Sequence, residues 1–319
     1  MTETPEIIAI EEHFMDHDLA KHFGHAAADP ASPIGKRLYD FLDIRIQEMD
    51  AAGIDMQVLS HQSPGTQRLN ADVAVEATRA VNNVLAAAIE SAPDRFSGFA
   101  MLPTVDPQAS ADELTRAVEE LGLKGALLHG LSNGRFVDEP DFWPIFARAE
   151  ALGVPVYLHP ALPDKSVIET YYGAYAKSHP ALTRSAWGFG VETGTLAVRM
   201  ILSGIFDKHP DLTVVLGHLG EAIPFLLARI DESFSRSDNA PTNFAEVFRN
   251  NFHITTSGFF SDAALRCCIE EVGIDRIMFA VDWPYVTNKD GVDWITKFEM
   301  DRADKTKLLS GNARKLLKL

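Results

Sequence analysis

"IIAIEEHF", residues 7–14, begins as an apolar, β-branched run and ends in two acids and a histidine. It reads as a buried strand whose last residues leave the core. Successive strand side chains point to opposite faces, so Glu11 and His13 share one face while Glu12 takes the other. A carboxylate and an imidazole side by side at a strand end are half of a metal site. They are equally a chain emerging into water, and the choice between the two depends on whether the pattern recurs.

It recurs. Apolar runs of the same kind occupy 55–60 (DMQVLS), 96–102 (FSGFAML), 124–129 (KGALLH), 154–159 (VPVYLH), 212–218 (LTVVLGH), 252–257 (FHITTS) and 276–282 (RIMFAVD). Between them, 70–91, 108–121, 140–152, 190–208, 221–236 and 261–272 carry apolar residues at helical spacing, and a last helix is expected near 302–317. Near-continuous apolar strands alternating with helices imply a parallel sheet covered on both faces. Eight such strands make the α/β architecture a (β/α)8 TIM barrel. A doubly wound open sheet is the competing topology, but no glycine-rich phosphate fingerprint follows the first strand. Without repeats or a low-complexity linker, 1–319 reads as a single domain. Residues 14–42 and 160–189 are long inserts rich in Pro, Gly, Ser and aromatics, and loops of that length are expected to cover an active site.

A barrel gathers the C-terminal ends of its strands into one pocket. The first strand delivers Glu11 and His13, the second Ser60 and His61, the fourth His129 and the fifth His159. The sixth delivers His218, the seventh Ser257 and the eighth Asp282. Five of the eleven histidines therefore sit at strand ends, where ordinary strand-to-loop transitions would favour Asp, Asn, Gly and Ser. Glu11, His13, His159 and Asp282 would offer two nitrogens and two carboxylates, a set suited to Zn²⁺ or another first-row divalent ion. His17, His22, His25, His179, His209 and His253 have no such convergence.

Composition bounds the partners. With 46% hydrophobic and 23% charged residues the chain has material for a large core. A formal charge of −16 argues against nucleic acid or an anionic membrane surface. Cys267 and Cys268 are adjacent and mid-helix, poorly placed for a disulfide or a metal, which suits a reduced cytoplasmic setting. The acidic N-terminus and the lack of a long apolar segment indicate neither a signal peptide nor a membrane span.

Four motifs, "IEEHF", "YLHP", "LGHLGE" and "DWPY", occur in this order on the first, fifth, sixth and eighth strands. With the connecting text "DEPDFWPIFARAEALGVPVYLHP", "WGFGVETGTLAVRMILSGIFDKHPDL", "ITTSGFF" and "IDRIMFAVDWP", they make the chain resemble the amidohydrolase superfamily. It is most similar to the metal-dependent aromatic acid decarboxylase branch, which includes γ-resorcylate, 2,3-dihydroxybenzoate and 5-carboxyvanillate decarboxylases. The resemblance implies Glu11, His13, His159 and Asp282 as ligands of one divalent ion, Zn²⁺ or Mn²⁺. The first motif is Glu-x-His instead of His-x-His, and His129 stands where two-metal members carry a carboxylated lysine; Lys124 would lie at the wrong end of the barrel. Both departures favour one metal.

The same resemblance implies His218 as a polar group beside the substrate, oriented by Glu221, and Arg229 as the contact for the substrate carboxylate. Asp282 would protonate the ring carbon of an ortho-hydroxylated aromatic acid before CO₂ leaves. Tyr285, Trp187 and Phe189 would stack on an aromatic ring. His61, where relatives tend to carry a small or uncharged residue, would contact a ring substituent. A hydrolase of the same superfamily, acting on a lactone, ester or amide, would use the same ligands and stays open, as does a non-catalytic binding role. The expected assembly is a homodimer or homotetramer.

Overall fold

The computed structural model describes residues 5–24, 27–236 and 242–319; His25 lies outside them. All eight expected strands are present: β1 (Ile8–Phe14), β2 (Met56–His61), β3 (Phe96–Gly98), β4 (Ala126–His129), β5 (Val156–His159), β6 (Val214–Leu216), β7 (Phe252–Thr255) and β8 (Ile277–Met278). Every pairing between consecutive strands is parallel, with ladders running β1-β2-β3 and β4-β5-β6-β7-β8. The two seams are carried by single parallel bridges, Ala100 to Ala126 and Glu12 to Trp283. Backbone bonds flank them: Leu127 N–H to Ala100 O at 2.9 Å on one side, and Ile10 N–H to Phe279 O at 3.2 Å and His13 N–H to Trp283 O at 2.8 Å on the other. The architecture is the (β/α)8 barrel that the strand count implied.

Two apolar layers follow from strand alternation. Ile8, Ile10, Val58, Phe99, Leu127, Tyr157, Val215, Met278 and Ala280 fill the barrel interior, closed at its N-terminal end by Ala313 and Leu317. The larger cluster, with Ile7, Ala9, Leu59, Val156, Leu158, Val214 and Ile254 on the strands, packs against the outer helices. Each fully buried aliphatic or aromatic side chain contributes about 1.5–3 kcal/mol. Helix starts are written locally. Asp106 accepts from Ala109 N–H ahead of Pro107–Glu119, Ser261 from Ala264 N–H ahead of Asp262–Val272, and Thr287 from Asp290 N–H ahead of Asn288–Lys297.

Several boundaries differ from the sequence expectation. The helix expected over 190–208 is two, Gly188–Leu202 and Ile205–Lys208, because Gly204 turns left-handed at φ +79°. The terminal helix is Arg302–Thr306 and Asn312–Leu317 joined by a π-helical turn. β6 stops at Leu216 and β8 at Met278, so His218 and Asp282 lie beyond the ladders. The inserts are not structureless: 14–42 holds His17–Ala20 and Pro33–Leu38, and 160–189 holds short helical turns from Lys165 to Thr183. Cys267 and Cys268 are free thiols within Asp262–Val272.

Candidate metal centre

Ile8 and Ile10 face the barrel interior, so strict alternation would send Glu12 inward and Glu11 outward. The observed ladder forestalls this. Ala9 pairs with Gln57 but Glu12 pairs with Leu59, so β1 carries one extra residue between them. Such a bulge re-aims the side chains beyond it, and bulges collect beside active sites. Here it turns Glu11 into the barrel and Glu12 out of it.

Inside, Glu11 Oε2 accepts from Tyr157 OH and Ser257 Oγ, and these hydroxyls join Thr255 Oγ1 at 2.7 and 2.6 Å. The other oxygen, Oε1, is buried and has no hydrogen-bond partner, and His13 Nε2 is in the same condition. Buried polar atoms without partners call for an explanation, and these two face one another's neighbourhood. His13 Nε2 lies 3.2 Å from Asp282 Oδ1 and 4.0 Å from Glu11 Oε1, and His159 Nε2 lies 3.3 Å from Glu11 Oε1. One donor atom from each of Glu11, His13, His159 and Asp282 falls within 4.8 Å of all the others. The remaining ring nitrogens are engaged elsewhere: His159 Nδ1 with Pro160 O at 2.8 Å and His13 Nδ1 with Ser60 Oγ at 3.2 Å. That leaves both Nε2 lone pairs turned to the common point, the arrangement outer hydrogen bonds give to metal-binding imidazoles. Two nitrogens, two carboxylates and two unpartnered buried atoms fit a divalent cation.

The electrostatics agree with that donor set. Burial opposes charge on Glu11, yet the surrounding His218, His159 and His13 outweigh it and hold the carboxyl well below its usual range. Asp282 is also held low, burial being overcome by the nearby imidazoles of His13 and His218. Burial pushes His13 down, which favours the neutral imidazole a metal requires. Glu11 and His13 are wholly buried, whereas the Asp282 and His218 side chains are 18% and 23% exposed. The cluster therefore opens to solvent on the Asp282–His218 side.

His218 is positioned by unusual backbone. Residues 218–222 all have positive φ: His218 +49°, Leu219 +55°, Gly220 +77°, Glu221 +53° and Ala222 +64°. Left-handed conformations at non-glycine residues cost about 1 kcal/mol or more each and gather at functional sites. This turn folds Glu221 back so that its Oε1 meets His218 Nδ1 at 2.8 Å, leaving His218 Nε2 3.8 Å from Glu11 Oε1 and 3.9 Å from Asp282 Oδ2. Against the cost of burial, Glu221 and Glu11 carry the His218 pKa well above its ordinary value. Gly217, just before the turn, has no room for a side chain, since a Cβ there would stand 2.7 Å from Glu11 Oε2.

The other expected residues fall less centrally. His61 is buried, but its Nδ1 bonds Gln62 O at 2.7 Å and its Nε2 accepts from Asp16 N–H at 3.1 Å. Both nitrogens are spent on backbone, which tethers the start of the 14–42 insert and leaves neither free for the expected contact with a ring substituent. Tyr285 is half-exposed, donates its hydroxyl to Gln62 Oε1, and sets its ring 6.1 Å from that of His13. Arg229 is exposed on the helix Ile223–Ser235, with no hydrogen bond or ion pair among the described residues. Trp187 is exposed and Phe189 half-buried. His129 is buried, ring to ring with His159 at 5.1 Å, and its Nε2 has no partner. Lys124 bonds Lys318 O at the far end of the barrel, as expected. Sequence reasoning gave no role to Tyr157, Thr255, Ser257 or Ser60, although strand spacing held the signal: Tyr157 lies two residues before His159, and Thr255 two before Ser257.

An eight-stranded parallel barrel with a carboxylate–histidine donor set at the C-terminal ends of its strands defines a metal-dependent barrel enzyme. The amidohydrolase family matches residues 13–319, and the chain belongs to that family, in its metal-dependent aromatic acid decarboxylase branch. It is 38% identical over 325 residues to γ-resorcylate decarboxylase of Rhizobium sp. (strain MTP-10005), covering 98% of each chain. Its fold matches a crystal structure of 2,6-dihydroxybenzoate decarboxylase complexed with 2,6-dihydroxybenzoate, with a TM-score of 0.90 and 37% identity, over 99% of this chain and 100% of the other. It also matches a dihydroxybenzoic acid decarboxylase from Polaromonas sp. JS666 with bound manganese and the inhibitor 2-nitroresorcinol, with a TM-score of 0.90 and 36% identity, over 99% and 98% of the two chains.

Proposed function

We propose that the protein is a metal-dependent decarboxylase of an ortho-hydroxylated aromatic acid of the dihydroxybenzoate type. The observation that carries this is the convergence of unpartnered Glu11 Oε1 and His13 Nε2 with His159 and Asp282, beside an imidazole held by Glu221. The names and ligands of the similar decarboxylases support the substrate class. The ligands of the ion are Glu11, His13, His159 and Asp282; the catalytic groups are Asp282, His218 and Glu221. When bound, a divalent cation supplies a positive centre that draws the substrate's carboxylate and neighbouring hydroxyl oxygen to one point.

The chain's own residues then manage protons. Asp282, on the open side, accepts the phenolic proton and delivers it to the ring carbon bearing the carboxylate. The new C–H bond forms first because direct loss of CO₂ would strand an electron pair on an aryl carbon. The C–CO₂ bond then breaks, its electron pair restores aromaticity, CO₂ departs and Asp282 is again a carboxylate. His218, its Nδ1–H held by Glu221, returns a solvent proton to the phenolate oxygen through Nε2, which balances the reaction. Arg229 has no hydrogen bond or ion pair among the described residues and is assigned to the substrate's carboxylate, and Tyr285 to a face of the ring.

The ion is Mn²⁺ or Zn²⁺, one per chain. The charge of −16 supports a small-molecule partner over nucleic acid or an anionic membrane surface, and among the described residues no helix is long and apolar enough to cross a membrane. Free cysteines support a cytoplasmic setting. Exposed Tyr171, Tyr175, Trp187 and Phe225 support a homodimer or homotetramer, since large exposed aromatics are common at interfaces. The single domain spans 1–319. The test is isotopic: 2,6-dihydroxybenzoate turned over in D₂O is expected to give resorcinol with one deuterium at the vacated carbon. CO₂ release without that label, or cleavage of a lactone in place of any decarboxylation, overturns the mechanism.

A further inference from the structure

The bulge in β1 leaves one acid unused by this chemistry. Glu12 has no exposed surface, lies outside the barrel wall, and is no ligand. Its Oε1 accepts from Val281 N–H at 2.8 Å and its Oε2 from Trp283 N–H at 3.1 Å. Between those two residues Asp282 sits at φ +69°, its own N–H donated to Glu11 O at 3.1 Å. Three consecutive amides of the segment after β8 are thus tied to two consecutive acids of β1. The ladder cannot do this, because β8 ends at Met278. A side chain without two acceptor oxygens would leave a buried N–H unpaired.

Glu12 is itself braced. Gln57 Nε2 approaches its Oε2 at 3.4 Å, and Gln57 Oε1 accepts from buried Arg45 Nη1 at 3.1 Å. Arg45 Nη2 donates to His13 O at 2.6 Å, and its guanidinium carbon lies 4.0 Å from the Trp283 ring centroid. The helix Ile44–Ala52 thereby presses on β1 and on the 281–283 segment together.

We propose that Glu12 is a positioning residue that holds Asp282 in its left-handed conformation by gripping the peptide N–H groups on both sides of it. The inference rests on the assignment of Asp282 as ligand and proton donor. A left-handed non-glycine residue relaxes unless its neighbours fix it, and relaxation would swing the carboxylate off both the ion and the ring carbon. Glu12 touches neither. It acts through Asp282.

Glu12→Gln keeps the shape but offers only one acceptor oxygen, so one of the two N–H groups meets an amide NH₂. In metal-free protein titrated with Mn²⁺ and followed by the electron paramagnetic resonance of the free ion, the variant is expected to bind about tenfold or more weakly, the usual cost of losing a group that orients a ligand. At saturating Mn²⁺, kcat on 2,6-dihydroxybenzoate should fall about tenfold or more with KM within roughly threefold, since the lost geometry belongs to proton delivery. A purely architectural Glu12 would lower the unfolding midpoint and leave the Mn²⁺ affinity and kcat of the folded enzyme at wild-type values; that result overturns the proposal. The Mn²⁺ titration uses no substrate, so a wrong substrate assignment would silence wild-type turnover and leave the affinity comparison standing. Should Glu12→Gln yield no folded protein, amide exchange in wild-type protein decides. Slow exchange at Val281 and Trp283, matching the β6 ladder, supports the grip, and rapid exchange at both refutes it.

Discussion

At the scale of single residues, the proposed site divides its work between groups assigned to a cation and groups assigned to the substrate, and mutation should separate them. His218 contacts Glu221 and approaches two ligands without belonging to the four-residue cluster. His218→Ala is therefore expected to retain Mn²⁺ near wild-type stoichiometry while kcat falls by roughly two orders of magnitude or more, the usual share of a proton-transfer group. Arg229 touches no protein partner among the described residues, and a charge-assisted bond to a carboxylate is worth about 1.5–3 kcal/mol. Arg229→Ala should accordingly raise KM about 10- to 100-fold with metal content unchanged. Metal analysis beside steady-state kinetics checks both. Loss of the ion from His218→Ala would make it a ligand, and an unaltered KM in Arg229→Ala would return that residue to the solvated helix face. The four proposed ligands were legible in the sequence because each is a polar residue at or just past the end of an apolar run. Glu12 was visible but uninterpretable: sequence alternation said it leaves the Glu11 face, and only the backbone amides around Asp282 show what it does there.

Strands and turns explain why some expectations held and others moved. Barrel strands are buried on both faces and write themselves as apolar runs, so all eight were found. The bulge in β1 was invisible, since an extra residue in a ladder changes pairing and not composition; it decides which of two adjacent acids enters the barrel. The left-handed run at 218–222 was hidden too. Gly217 and Gly220 mark the turn, but no local rule forces four non-glycine neighbours into the same region. His61 shows the same gap, for a histidine at a strand end reads alike whether its nitrogens face a pocket or backbone. Its observed environment makes a pH prediction. Burial pushes its pKa down from 6.5 to about 4, with the bond to Gln62 O and nearby Asp16 acting weakly against it. The folded protein thus keeps His61 neutral where the unfolded chain takes up a proton, so this stabilisation is present above about pH 6.5 and is lost as pH falls toward 4. Between pH 7 and 5 the loss amounts to about 2 kcal/mol. His61→Gln cannot titrate, and its unfolding free energy, followed by denaturant titration, should fall less steeply over that range than wild type, by close to one proton. Parallel slopes would mean that His61 titrates normally in the fold.

Across the whole molecule, the donor set joins the first strand to the segment after the last. Glu11 and His13 lie near one end of the chain and Asp282 near the other, and the seam between them is one of the two carried by a single bridge instead of a ladder. The C-terminal helices reinforce this region from below: Phe279 N–H donates to Leu308 O at 2.9 Å, and Asn312 Nδ2 donates to the carbonyls of Ile274 and Ile277 at 2.8 Å each. A cation bound by these ligands would clasp one of the two seams that lack a ladder, and it would be held by the folded chain alone. Binding only the native state at a free concentration a hundredfold above Kd stabilises by about 2.7 kcal/mol. For a domain of this size that corresponds to roughly 4 °C in the unfolding midpoint. Calorimetry of metal-free protein with and without Mn²⁺ should show one cooperative transition in each case, moved upward by the metal in proportion to the logarithm of its concentration. Ca²⁺ should move it less, since it prefers six to eight oxygen ligands and this set offers two imidazoles. Two transitions, with only one shifted by Mn²⁺, would divide the chain into units and refute the single-domain reading. A midpoint indifferent to Mn²⁺ would show that the four side chains meet without gripping an ion.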